Sequence, residues 1–188
     1  MTMKRSALFH LHKNQNAVFT DHQGWEVPAY FSPPEQEIVA VRKNAGLADV
    51  SYLLKFDLQH EPQHSGWRLG SKHYLMMGEQ PLHPPFGAID VSSVYTCLCL
   101  AGPRGRDVLN KLTSLNVSDV ALPNRSCAQT SLAHTYTLVM RDDIGTILAL
   151  RLLVSREFAE SIWESIIHAG REFHLCSFGI KTLMSLHN

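Results

Sequence analysis

The segment Val94-Tyr95-Thr96-Cys97-Leu98-Cys99-Leu100-Ala101-Gly102-Pro103-Arg104 contains the change of secondary structure that decides the fold of this chain. Residues 88–100 are rich in apolar and β-branched side chains, which is typical of a buried strand. Gly102-Pro103-Arg104 forms a corner with proline at the start of a helix. Val108 and Leu109 then continue the apolar side of that helix. The segment therefore predicts a buried strand that leads directly into a helix.

The residues on either side of this segment extend the pattern of strands and helices. Residues 67–77 are typical of a hairpin around Gly70-Ser71. Residues 127–140 and 147–154 are predicted to be two strands joined by the turn Arg141-Asp142-Asp143-Ile144-Gly145. A last helix is predicted over residues 156–169, ended by Gly170, with one apolar face that carries Phe158, Ile162, Trp163, Ile166 and Ile167. This order predicts an α+β fold, an antiparallel sheet with helices on one face.

A small helix and strand precede this domain. Ser32-Pro33-Pro34-Glu35 is typical of a capping box with proline in the first turn, and Gly46 is a typical stop after the helix. The second half of residues 47–58 alternates as a half-buried strand does. Polar residues 59–65 and the proline-containing residues 80–87 are predicted loops. We therefore predict an N-terminal segment over residues 1–62 and an α+β domain over residues 63–188.

Composition and charge exclude several classes of protein. Hydrophobic residues make up 45% of the 188 residues, which excludes intrinsic disorder. The formal net charge is zero, without the basic patch that nucleic-acid binders need. No apolar run has the length of a membrane span or, near Met1, of a signal peptide. We expect a cytoplasmic protein that binds neither nucleic acid nor membranes.

The cysteines and histidines give no sign of a metal site. Cys97 and Cys99 lie two apart in a strand, so they point to the same face and are predicted to act as small apolar side chains. Cys127 and Cys176 do not complete a C-x-x-C pair, and the eleven histidines are scattered without zinc-ligand spacing. We predict a reducing compartment and no metal ion.

Two stretches resemble a known superfamily. His22-Gln23-Gly24-Trp25-Glu26-Val27-Pro28, followed by Ala40-Val41-Arg42, Ala45-Gly46-Leu47 and Asp49-Val50-Ser51, resembles the opening of the glycine cleavage T-protein (aminomethyltransferase) family. Its typical pattern is H-G-W-E-x-P, then A-V-R, then A-G-x-x-D-V-S.

The rest of the chain resembles another member of that superfamily, the gamma subunit of heterotetrameric sarcosine oxidase. The likeness rests on four stretches: Trp67-Arg68-Leu69-Gly70, Ile89-Asp90-Val91-Ser92, Leu98 to Leu109, and Ala128-Gln129-Thr130 with the last helix. Both likenesses imply a T-protein-like α+β fold and a role in folate-dependent one-carbon and glycine-sarcosine metabolism. In the oxidase, the resemblance assigns flavins, dinucleotide and folate to other subunits. It therefore implies no cofactor held by this chain alone, with tetrahydrofolate the one ligand suggested by the family.

The acid that a folate one-carbon transferase needs is the main open point. In the T-protein family it lies in a G-G-x-x-D-D segment, and this chain has Ala128-Gln129-Thr130 without the following Gly-Gly. Aligned without gaps, Asp142-Asp143 takes that position and Asp143 becomes a candidate catalytic acid. Aligned on the gamma-like pattern, the position falls at residues 134–136, and Asp142-Asp143 is an ordinary turn.

Other residues allow a functional and a structural interpretation. Gly102-Pro103-Arg104-Gly105-Arg106 is either an anion site or a strand-to-helix corner. Asp49 and Asp90, each before Val-Ser, either face a ligand or satisfy turn amides. Trp25 and Glu26 either line a pocket or anchor the N-terminal segment. The possible nucleophiles, Ser51, Ser92 and Cys127, have no recognisable base.

Two functions follow as hypotheses. The first is a non-catalytic gamma-like subunit of a flavin-dependent sarcosine or dimethylglycine oxidase, with other subunits or a second copy as partners and no catalytic residue of its own. The second is a compact tetrahydrofolate-dependent aminomethyltransferase or demethylase with Asp143 as its acid. The chain has about half the usual T-protein length, which favours the first. The cofactor-binding residues stay open.

Overall fold

The computed structural model describes residues 3–62, 66–80 and 82–187. The described strands are β1 Lys4–Arg5, β2 Val18–His22, β3 Trp25–Tyr30, β4 Gly46–Asp49, β5 Leu54–Leu58, β6 Trp67–Arg68, β7 Tyr74–Gly78, β8 Ile89–Asp90, β9 Tyr95–Ala101, β10 Cys127–Leu132, β11 Thr135–Arg141, β12 Ala149–Ser155 and β13 Cys176–Ser177. The α-helices are α1 Phe9–Asn14, α2 Pro34–Lys43, α3 Gly105–Asn110, α4 Ala159–Gly170 and α5 Ile180–Leu186.

A six-stranded sheet in the order β10-β11-β12-β9-β4-β13 forms the centre of the fold. Its neighbouring strands are antiparallel, apart from β13, which runs parallel to β4. The predicted strand-to-helix segment is confirmed, since β9 lies inside this sheet and α3 follows it directly. The proposed division between residues 62 and 63 stays a prediction; strands from both sides of it, β4 and β9, are paired in this sheet.

The two faces of the central sheet bury two different apolar clusters. In β9, Cys97 and Cys99 belong to the first cluster, whereas Leu98 and Leu100 belong to the second, as the alternation of side chains in a strand requires. Helices α3 and α4 cover the second face with Val108, Leu109, Ile162, Trp163 and Ile166. The predicted α+β class, and the small apolar role of the two cysteines, are therefore confirmed.

Two smaller sheets and α5 cover the first face. The three-stranded sheet β1-β3-β2 contributes Trp25 and Val27, and the four-stranded sheet β6-β7-β5-β8 contributes Trp67 and Leu75. Helix α5, which was not predicted from the sequence, adds apolar side chains to the same cluster, namely Ile180, Leu183 and Leu186. This arrangement leaves a pocket where the four-stranded sheet, α5 and the central sheet meet.

The prediction of one strand over residues 127–140 is wrong. Strands β10 and β11 form an antiparallel hairpin in which Leu132 pairs with Thr135, so only Ala133 and His134 make the turn. Both have positive φ angles, 45° and 66°, as the two central residues of a type I′ hairpin turn need. The usual glycine or asparagine is missing there, so the sequence carries no turn signal.

The predicted capping box at the start of α2 is also wrong. The residue before the helix is Pro33, and it makes no side-chain capping bond. The buried Glu37 carboxylate instead accepts hydrogen bonds from the backbone N–H groups of Phe31 (2.6 Å) and Ser32 (3.0 Å). Gly46 is the first residue of β4 rather than a helix stop, and α2 ends at Lys43.

Among the remaining predictions of local structure, strands β6 and β7 form the predicted hairpin, and β11 and β12 are joined through residues 142–148. Strand β5 forms, but the predicted alternation is wrong, since the neighbouring Lys55 and Phe56 are both buried. Parts of the predicted loops, residues 63–65 and 81, lie outside the described residues. Residues 156–158 form a 3-10 turn before α4 begins at Ala159. None of the helices in the described ranges has the length and apolar character needed to cross a bilayer.

Candidate functional site

A pocket of about 160 Å³ lies on the first face of the central sheet, between β7, β12 and α5. Its lining contains both apolar and polar side chains, and consists of Val50, Tyr52, Leu53, Met77, Gly78, Glu79, Cys99, Arg151, Leu183 and His187. Enclosed sites with several convergent polar groups are the usual places for ligands. We therefore take this pocket as the candidate functional site.

The polar groups of the pocket are already engaged with one another. The Tyr52 hydroxyl donates to Glu79 Oε1 at 3.3 Å. Burial, together with the charge of Glu79, raises the pKa of Tyr52 well above its usual range. Arg151 is paired with Asp142. The site therefore offers a protonated phenol, the carboxylate of Glu79 and a guanidinium, each of which has a partner.

The size of the pocket argues against an enclosed pterin. Pockets that enclose small organic ligands typically measure about 300–1,000 Å³, and this one measures about 160 Å³. Glu79 is the single carboxylate in its described lining, and its side chain is 51% exposed. The lining of this pocket thus does not fit a folate ring held against a buried acid.

The two Asp-Val-Ser stretches make the same local structure. Asp49 Oδ1 accepts the backbone N–H of Ser51 at 3.0 Å, and Asp90 Oδ1 accepts that of Ser92 at 2.8 Å. Both aspartates therefore satisfy turn amides. Ser51 donates its hydroxyl to Asp49, and neither serine faces a histidine in the described contacts.

Sequence reasoning missed a buried polar network around Asp49. His12 Nε2 lies 3.3 Å from Asp49 Oδ2, and Ser6 donates to the same oxygen. Burial opposes the ionisation of Asp49, but the bonds from His12, Ser51 and Ser6 together lower its pKa. Nothing in the pattern of residues 1–31 could have revealed this, because His12 and Asp49 are brought together only by the fold.

Sequence reasoning also missed the buried Lys55. Its side chain is fully buried, and its ammonium donates to the carbonyl oxygens of Ser51 (3.0 Å) and Leu53 (2.7 Å). Burial lowers the pKa of Lys55. The described contacts give it a structural role, closing the turn between β4 and β5.

Asp142 and Asp143, the acidic pair of the ungapped register, are both held by arginines. Asp143 accepts from Arg141 Nη2 at 2.8 Å and from the backbone N–H of Ala149. Asp142 pairs with Arg125 and Arg151. In the other register, Tyr136 is 58% exposed and donates to Gln129. Neither register brings an acid without a cationic partner into the pocket.

Most of the remaining sequence candidates occupy structural positions. Residues 102–106 form the strand-to-helix corner, since α3 has only six residues and Arg104 pairs with Asp107 beside it. Arg106 of the same stretch also lines a second, larger cleft. Trp25 is buried in the first cluster, and Glu26 pairs with the N-terminal Arg5. Cys127 contacts the carbonyl of Arg68. Within the described ranges, no group of three or more His, Cys, Asp or Glu could hold a metal ion.

A comparison with known families identifies the chain's relatives. The sequence profile described as the GCVT N-terminal domain matches residues 8–61 and 70–187, which is most of the chain. The chain belongs to the GCVT N-terminal domain family. The predicted T-protein superfamily is thereby confirmed.

Curated members of the GCVT family are similar to the chain along nearly its whole length. An aminomethyltransferase of Halothermothrix orenii is 23% identical over 95% of this chain and 62% of the relative. An aminomethyltransferase of Geobacillus sp. is 25% identical over 90% of this chain and 59% of the relative. The sarcosine oxidase subunit alpha of Rhizobium meliloti is 22% identical over 98% of this chain and 25% of the relative. The chain spans about three-fifths of the aminomethyltransferases that it matches.

Solved structures show the same GCVT fold. The glycine cleavage aminomethyltransferase T of Bartonella henselae superposes with a TM-score of 0.80 at 15% identity, over 98% of this chain and 62% of that one. A chain of the heterotetrameric sarcosine oxidase of Corynebacterium sp. U-96 superposes with a TM-score of 0.65 at 18% identity, over 91% of this chain and 96% of that one.

The matched region of the relatives is longer than this GCVT chain. The alignment with the H. orenii enzyme runs over 225 residues, more than the 188 residues available here. That relative therefore carries residues inside the matched region that this chain lacks. The profile match itself is interrupted between residues 61 and 70, at the connection between β5 and β6.

Proposed function

We propose that this chain is a non-catalytic, gamma-like subunit of a heteromeric sarcosine or dimethylglycine oxidase complex. One observation carries the proposal. The fold corresponds to 96% of a chain of the heterotetrameric sarcosine oxidase, but to only 62% of the aminomethyltransferase T structure. The described fold is therefore similar in architecture to nearly all of that oxidase chain and to part of the transferase.

The chemistry of the pocket supports the same proposal. A folate one-carbon transferase needs an acid at the reacting nitrogens and an enclosing site. Here Asp142 and Asp143 are neutralised by arginines, and the pocket is about 160 Å³. Flavin, dinucleotide and tetrahydrofolate would then be bound by the partner subunits, and this chain would contribute surface rather than catalytic groups.

The test combines ligand binding with assembly. The purified chain is titrated calorimetrically with 5-formyltetrahydrofolate beside a full-length aminomethyltransferase, and it is then co-expressed with the flavoprotein subunits of a sarcosine oxidase. We expect no binding heat from this chain and a stoichiometric complex in light scattering. Micromolar binding that is lost in Asp143→Ala would overturn the proposal in favour of the compact transferase. A stable monomer that does not bind the flavoprotein subunits would also overturn the proposal.

A further inference from the structure

A second and larger cleft, of about 720 Å³, lies beside the candidate pocket and shares His187 with it. It is bounded by the end of α2, the start of α3, the end of α5 and the turn between β11 and β12. The described lining consists of Arg42, Pro103, Arg106, Ile144, Gly145, Thr146, Ile147, Leu148, Leu186 and His187. Its volume lies within the range of sites for small organic ligands, about 300–1,000 Å³.

The titratable side chains that line this cleft are all basic. Arg42, Arg106 and His187 are its titratable side chains, and among the described residues no carboxylate lines it. A guanidinium presents paired N–H donors that match the oxygens of a carboxylate or a phosphate. Two arginines from different helices therefore favour an anionic group in the cleft.

Arg106 has hydrogen-bonding capacity that its protein partners leave unused. Its Nη2 pairs with Asp119, and that carboxylate is shared with Arg141. Its side chain is 29% exposed, so part of the guanidinium is accessible from the cleft that it lines.

The rest of the wall is apolar and held in a defined shape. Ile144 and Ile147 exchange two backbone hydrogen bonds of 2.9 Å, which close a turn with Gly145 at φ 59°. This turn presents the partly buried Ile147 and Leu148 to the cleft, which Pro103 also lines. A bound anion would therefore need an apolar body as well as a charged group.

We propose that this cleft binds an organic anion, with its carboxylate or phosphate group held by Arg42 and Arg106 and its apolar body packed on Ile147, Leu148 and Pro103. The proposal does not depend on the subunit role of the chain. Carboxylate and phosphate share the geometry that a guanidinium recognises, so the experiment uses one probe of each kind.

The experiment follows backbone amide signals of the 15N-labelled chain by NMR during titration with adipate and, separately, with phenyl phosphate. We expect at least one probe to shift the signals of residues 145–148 saturably. Arg42→Gln and Arg106→Gln should each weaken that binding about tenfold, since each loses a charge-assisted hydrogen bond. Arg42 is exposed at the end of α2, so its variant remains informative if the loss of the Asp119 pair unfolds Arg106→Gln.

Matched controls make the outcome decisive. Arg104→Gln removes a neighbouring arginine that pairs with Asp107 and does not line the cleft, and it should leave binding unchanged. 1,6-Hexanediol has the apolar body of adipate without its charges and should not bind. Equal loss in all three arginine variants, equal binding of the diol, or no saturable shift with either probe would overturn the proposal. Binding of a glutamate-rich peptide alone would also overturn it and would make the cleft a docking surface for an acidic chain.

Discussion

The carboxylate of Glu37 accepts a hydrogen bond of 2.6 Å from the hydroxyl of Thr182, although 145 positions separate the two residues. The same fully buried carboxylate accepts the backbone N–H groups of Phe31, Ser32 and Gly179. One side chain of α2 thus joins the end of β3 to the start of α5. This contact fixes α5 against the first face of the central sheet, where it forms a wall of the pocket.

Replacing Glu37 should therefore be among the most damaging single changes on α2. Glu37→Ala leaves three backbone donors and one hydroxyl without an acceptor in a buried site, so we expect a loss of about 3–5 kcal/mol in the free energy of unfolding. Urea denaturation followed by circular dichroism measures it. Glu35→Ala, an exposed residue of the same first turn, should change the stability by less than about 0.5 kcal/mol. Equal effects of the two variants would contradict the central role of Glu37.

Gly179 should not tolerate any side chain. A Cβ atom at this position would overlap the backbone carbonyl of Ala29 in β3. We expect Gly179→Ala to cost more than about 3 kcal/mol, or to prevent folding, because backbone atoms cannot move aside as a flexible side chain can. Thermal unfolding provides the measurement. At Gly70 a Cβ would meet only His73, at 3.5 Å, so Gly70→Ala should retain the wild-type melting temperature within a few degrees.

The pair of Arg141 and Asp143 should stabilise the fold, in contrast to a similar pair on the surface. Both side chains are largely buried, with 10% and 14% exposed. Asp143→Ala removes the buried carboxylate of the pair and leaves the guanidinium with the exposed Asp119 as its acidic partner, and we expect a loss of about 2–3 kcal/mol. Arg104 and Asp107 form a matched pair that is about half exposed, and Asp107→Ala should cost less than about 0.5 kcal/mol. Comparable losses in chemical denaturation would mean that burial does not distinguish the pairs.

Two buried thiols should make the protein less stable at alkaline pH. Burial raises the pKa of Cys97 to about 12 and that of Cys99 to about 11, from an ordinary value of 9.0. Above pH 9 the unfolded chain releases these protons while the folded chain keeps them, so stability is fully present below pH 9 and falls as pH rises toward 11. Each thiol contributes up to about 3 kcal/mol of this loss at pH 11.

The measurement is urea denaturation of the wild type and of the Cys97→Ala/Cys99→Ala variant between pH 7 and 11. We expect parallel curves from pH 7 to 8, which serve as the internal control, and a shallower fall of the variant above pH 9. If the two curves stay parallel up to pH 11, the thiols are not protected in the folded state.

The sequence was sufficient wherever structure depends on neighbours along the chain. The apolar run of β9, the proline corner before α3 and the amphipathic face of α4 are local signals, and the structure contains all three. The family motifs are equally local, and they identified the superfamily without any knowledge of contacts.

Local signals failed where contacts between residues far apart in the sequence decide the backbone conformation. Ala133 and His134 have positive φ without glycine, because pairing of β10 with β11 holds them there. The start of α2 carries a typical capping sequence, yet Glu37 takes the role, since Gly179 and Thr182 also converge on its carboxylate. Helix α5 has only seven residues, too few for a clear periodic signal.

By itself, therefore, the sequence determined the α+β class, the buried strand, the main helices and the family. Only the tertiary structure decided which distant polar residues meet: His12 with Asp49, Glu37 with Thr182, and Arg42 with Arg106 around one cleft. The physical reason is the distance along the chain over which each effect acts. Propensity and periodicity act over a few residues, whereas a pocket is made by side chains that the packing of distant elements brings together.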